Sequence, residues 1–143
     1  MSSQYESRVA SILVGLYSII IGSWFLIEQT IRLFLVEKTE AEFATLAIGR
    51  FDWGFIWADT FLPGPMLFIG GLLLISSWKS RTGHMFVFTG FAINLYAMIV
   101  FLVGLSMLGE PISAGDFAAA LVATALGVVC MAYNLRSMIR SQA

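Results

Sequence analysis

Apolar residues in this chain gather in long blocks, with no strict alternation and no single apolar face. Four stretches, 9–27, 60–78, 85–109 and 117–135, contain no Asp, Glu, Lys or Arg. The shortest of these runs is 19 residues. Wound as an α-helix it rises about 28 Å, close to the hydrocarbon thickness of a bilayer, about 30 Å. Lipid offers the backbone no hydrogen-bond partner, so open strands are excluded and each run must be helical. The pattern predicts an all-α membrane protein, a four-transmembrane-helix bundle forming one domain over 1–143, with spans at 9–34, 57–78, 85–108 and 116–136. The first helix is drawn past its apolar run because Glu28 and Arg32 stand i, i+4 and can pair.

Composition points the same way. Hydrophobic residues make up 59% of the chain and charged residues 12%, where a soluble domain carries about 25% charged. Too few charges remain to cover a water-exposed surface. The first run also differs from a secretory signal, whose apolar core of about 7–15 residues leads to a small-residue cleavage site. This one ends in Trp24-Phe25-Leu26-Ile27-Glu28, so a retained helix is expected.

Basic residues orient the spans. Arg8, Lys79, Arg81, Arg136 and Arg140 fall on one side, against Arg32, Lys38 and Arg50 on the other. Lys and Arg near helix ends favour the cytoplasm, which places both termini there and implies a multi-pass protein of the cell inner (plasma) membrane. Trp24, Trp53 and Trp57 then sit near the outer interface, with Trp78 and Tyr133 near the inner one, as aromatic belts do. The turn 79–84 is tight. The outer segment 28–59 is long and mixed, and 41–51 is expected to lie on the bilayer surface. Ser113 or Asp116 can cap the fourth helix.

Helices in lipid associate through close packing and interhelical hydrogen bonds, so small residues mark their contact faces. Helix 1 carries Ser11, Gly15, Ser18 and Gly22; helix 2 carries Gly70 and Gly71. Helix 3 has Gly90, Asn94, Ala97 and Gly104, and helix 4 has Ala120, Ala123, Gly127, Cys130 and Asn134. These stripes predict a tight bundle with Asn94 buried at its middle.

Candidate chemistry is sparse. A net charge of −1 argues against nucleic acid, which needs clustered Lys and Arg. The lone Cys130 allows no CxxC pair, and the lone His84 cannot supply two axial haem ligands or a His-rich metal site. No phosphate-binding GxxxxGK[ST] loop is present, and no metal or cofactor is called for. The sharpest local feature is Asp59-Thr60-Phe61-Leu62-Pro63-Gly64-Pro65. Proline lacks an N–H and clashes with the carbonyl four residues back, so a break at Pro63-Gly64-Pro65 is expected. Such a break can form an ion or ligand site with Asp59 and Thr60, or a simple kink with those residues capping the helix. Glu28, Gln29 and Arg32 form a second polar cluster, read first as an ion pair and second as part of a ligand site. Asn94 and Tyr96 form a candidate polar site within the bundle. His84, beside Arg81, reads as an interfacial residue and Cys130 as a small core residue.

Four short-looped helices, with Gly70-Gly71-Leu72-Leu73-Leu74 followed by a basic turn at Lys79 and Arg81, resemble the DoxX-like family of small bacterial membrane proteins. The resemblance covers helices 2 and 3. The acidic residue that precedes the Gly-Gly-Leu-Leu stretch in that family is not in place; the nearest is Asp59, beyond two prolines. The resemblance implies the architecture and membership of a membrane oxidoreductase complex, and no catalytic residue carries over. The small subunits of tripartite solute transporters are similar in size and layout.

These features support three functional readings. The first is a non-enzymatic accessory or structural protein that packs helices in a homo-oligomer or against other membrane subunits. The second is a small transporter or channel subunit with an outer site at Asp59 and the Pro63-Gly64-Pro65 break. The third is a quinone or lipid enzyme with a lateral pocket near Asn94, Tyr96 and His84. The orientation is checked by reporter fusions at both termini, which are expected to report the cytoplasm at each end.

Overall fold

The computed structural model describes residues 2–34, 62–107, 109 and 113–141. Among them the fold is all-α: α1 spans Ser2–Phe34, α2 Pro63–Ser76, α3 Arg81–Met107 and α4 Ala114–Arg140. Three of these, α1, α3 and α4, are long and apolar enough to cross a membrane. The expected surface segment 41–51, together with Asp59 and Thr60, lies outside the described residues.

Each helix packs on the next, α1 on α2, α2 on α3 and α3 on α4. The first contact is the tightest. A Cβ built on Gly71 would lie 2.5 Å from the carbonyl oxygen of Gly15, and one on Gly15 would lie 3.0 Å from that of Gly71. One level along, a Cβ on Gly22 would meet the Phe68 nitrogen at 2.6 Å and the Gly64 oxygen at 2.8 Å. The two glycine pairs run antiparallel and bring backbone against backbone. Between them Ser18 is fully buried and returns its hydroxyl to the Val14 carbonyl at 2.7 Å. The other side of α2 meets α3 through Gly70 against Val87, Gly83 against Leu73, and Leu67 against Gly90. Leu67, Leu74, Val87, Phe91 and Cys130 form the buried core, and Tyr17 of α1 stacks on Phe91 at 5.7 Å.

Pro63-Gly64-Pro65 is the first turn of α2, with Leu62 at the N-cap position already in αR geometry. First-turn residues have no intrahelical acceptor for their N–H, so prolines there forfeit no bond; the residues before Leu62, on which the expected break also depends, lie outside the described residues. One expectation is corrected: Asn94 is only half-buried. α1 and α4 meet through Tyr133, which bonds Ser11 and the Ser7 carbonyl; elsewhere among the described residues the two helices make little contact. They part beyond that end, and nothing described encloses the middle of α3. The fully buried polar side chains lie instead along α1 and at the end that carries both termini.

The glycine contacts generate a direct test. Gly71→Ala is expected to destabilise the protein by about 1–3 kcal/mol through overpacking. Gly127→Ala, where the nearest atom to the new Cβ is Phe91 Cδ1 at 3.7 Å, is expected to change stability by less than about 1 kcal/mol. Thermal unfolding in detergent separates the two.

Candidate functional site, a polar cavity at the shared end of the helices

The turn between α2 and α3 builds this site. Ser77 closes α2, its N–H donating to the Leu73 carbonyl at 2.9 Å. Ser80 then caps α3, its hydroxyl accepting the Gly83 N–H at 3.1 Å, as N-cap serines do. With the cap at Ser80, α3 begins at Arg81 rather than at Met85, and His84 falls in its first turn. That places His84 on the same face as Val87 and Phe91, at i+3 and i+7, and only 4% of it is exposed.

Both ring nitrogens of His84 are engaged. Nδ1 lies 2.7 Å from Asn134 Oδ1 on α4, and Nε2 lies 3.2 Å from the Trp78 carbonyl oxygen. The Asn134 amide is oriented by its own helix, since Nδ2 donates to the Cys130 carbonyl at 2.7 Å, and a carbonyl only accepts. Its oxygen therefore faces the imidazole, and Nδ1 carries the donated proton. The second partner, Trp78, also offers an oxygen. Asn134 is fully buried, and this side-chain pair ties α3 to α4.

A second bridge ties α4 to α1. The Tyr133 hydroxyl donates to the Ser7 carbonyl at 2.9 Å and lies 2.6 Å from Ser11 Oγ; with its proton given to Ser7, it accepts from Ser11. Tyr133 also sets its ring edge-on to His84, centroids 6.0 Å apart. The two bridges are thus adjacent.

Above them opens a cavity of about 470 Å³. It is lined by His84 and Tyr133 together with the start of α1 (Glu6, Ser7, Ala10, Ser11), the turn (Trp78, Lys79) and the end of α4 (Arg136, Ser137, Arg140, Ser141). Lys79 rests its Nζ over the Trp78 ring, 4.7 Å from the centroid, a cation–π contact. Three cationic side chains therefore face one carboxylate in the lining. No group of three or more metal-ligating side chains occurs among the described residues.

The residues singled out from sequence are not brought together here. Glu28 is half-buried far along α1 and has a partner, and the Arg32 side chain is outside the described residues. Tyr96 is 66% exposed, on a different face of α3 from Asn94. His84 and Asn94 stand about 15 Å apart along the helix axis, so no shared pocket unites the three. Sequence reasoning places His84 at the interface because it begins the helix at Met85. The Ser80 cap is the signal that turns the imidazole inward.

No family model matches the chain, and neither a curated protein nor a solved structure does.

The hydrogen-bonded pair sets the second test. Asn134→Leu leaves the His84 Nδ1–H without its acceptor and is expected to cost about 1–3 kcal/mol. Tyr133→Phe, which removes one hydroxyl between α1 and α4, is expected to cost about 1 kcal/mol. Denaturant unfolding in detergent micelles reads both, and adding His84→Leu to Asn134→Leu is expected to recover part of the first loss.

Proposed function

We propose that this chain is a four-span integral protein of the cell inner membrane, with cytoplasmic termini, acting as an accessory or structural subunit. It does so by packing α4 against a second copy or a larger membrane partner. The observation that carries this reading is the outward face of α4. Ala118, Val122, Ala125, Val129 and Ala132 are all exposed and recur at spacings of four and three. They lie on the side of the helix opposite Gly127, which packs on α3. Small residues in this register let a second helix approach closely, and lipid-embedded helices associate through such seams. The outward face of α1 is different: Leu13, Leu16, Ile20, Trp24 and Ile27 are bulky and 47–64% exposed. That face suits lipid tails.

The membrane reading also accounts for α2. At 14 residues it rises about 21 Å, less than the hydrocarbon slab. It is nevertheless flanked by α1 and α3 on either side, and Pro63 and Gly64 are buried. Backbone at membrane depth is tolerated where protein covers it, which supports α2 as part of the fourth crossing.

Association through α4 is tested by Ala125→Phe. The substitution is expected to weaken self-association or partner capture at least tenfold, about 1.4 kcal/mol or more, while Leu121→Phe off the seam leaves it intact. Light scattering of the detergent-purified protein measures the first case and pull-down of copurifying membrane subunits the second. A chain that is monomeric and partnerless before any substitution sinks the reading.

A further inference from the structure

We propose that the cavity at the termini-bearing end is a binding site for a phosphate group, and that its occupant is the headgroup of an anionic phospholipid from the surrounding leaflet. The inference rests on the membrane reading and is independent of association through α4.

Charge is the first ground. Lys79, Arg136 and Arg140 line the cavity, and Glu6 is the one carboxylate among its lining residues. Neither arginine has an ion pair with a described residue. They stand i, i+4 on α4 and so share a face. A guanidinium is planar, always charged and built to take two phosphate oxygens at once. Ser137, half-buried between them, adds a hydroxyl.

Position is the second ground. The cavity lies where three apolar helices end, at the level a headgroup occupies. Leu135 and Ile139 of α4, next in sequence to the arginines, are 45% and 59% exposed and can lie along acyl chains. The indole of Trp78, half-buried in the wall, is the side chain that favours this boundary. A soluble phosphate compound would meet the same cations but would have no use for the apolar strip beside them.

Native mass spectrometry of the full chain in detergent, titrated with phosphatidylglycerol or phosphatidylcholine, tests the site. One phosphatidylglycerol is expected to bind in preference to phosphatidylcholine. Replacing both cavity arginines, Arg136→Gln with Arg140→Gln, is expected to weaken that binding at least tenfold, from about fivefold for each basic residue removed. Arg8→Gln with Arg81→Gln removes as much charge from the same end but outside the cavity lining, and is expected to change binding less than about twofold. Glu6→Gln is expected to tighten it, a gain that misfolding cannot imitate. Equal losses from the two arginine pairs, or no gain from Glu6→Gln, would overturn the site in favour of diffuse surface charge. Displacement of the lipid by millimolar inorganic phosphate would overturn the lipid as occupant. A chain that stays monodisperse without detergent fails the membrane reading itself, whatever the titration returns.

Discussion

The contact between α1 and α2 is made by backbone rather than by side chains. Gly15 faces Gly71, and Gly22 faces Gly64 and Phe68, at separations a Cβ would violate. In water such a contact would compete with the burial of larger side chains. In the lipid setting proposed for this protein there is no hydrophobic gain in moving a leucine from tails to protein, so close dispersion contact between backbones becomes a main source of cohesion. It also sets where the remaining helices can pack. With α1 pressed onto one side of α2, the other side is left to take α3 through Gly70, Leu67 and Leu74, and Tyr17 can reach over to stack on Phe91.

From that three-helix unit the polar end is a consequence. The short turn after α2 forces α3 to start beside it, and the Ser80 cap and the side-chain-free Gly83 hold the first turn of α3 against Leu73. His84 is thereby directed at α4, where Asn134 meets it. Tyr133, one residue earlier on α4, is turned by about 100° around the helix and reaches α1. Two neighbouring residues on one helix thus join it to two others. Hydrogen bonds between helices in lipid are worth about 0.6 kcal/mol on average, so their importance here lies in specificity. They choose which end of α4 approaches α1, and the opposite end diverges.

That divergence links the packing to the functional proposals. Among the described residues α4 is held by α3 and by the polar end, and none of them covers its far face, where small residues recur in helical register. Because the polar end collects the basic C-terminal turn of α4 beside the basic turn before α3, it forms a cavity rich in cations at the expected headgroup level. Both features come from one arrangement. A closed, parallel-sided bundle would have buried the first and filled the second.

Much of this was legible in the chain itself. Runs without charge on the scale of a bilayer gave the helices, because lipid allows the backbone no other regular structure across it. The stripe Ser11, Gly15, Ser18, Gly22 gave the packing face of α1, since small residues at helical spacing have little other use in lipid; all four are buried. Tertiary structure decided what depends on partners distant in sequence. It set Pro63-Gly64-Pro65 in the regular first turn of α2, where prolines need no acceptor. It left Asn94 half-exposed, because burial at the middle of α3 requires α1 and α4 to meet at that level and they do not. It joined His84 to Asn134, a pairing that neither residue announces alone, since only the antiparallel register of α3 and α4 brings an imidazole and an amide to the same depth.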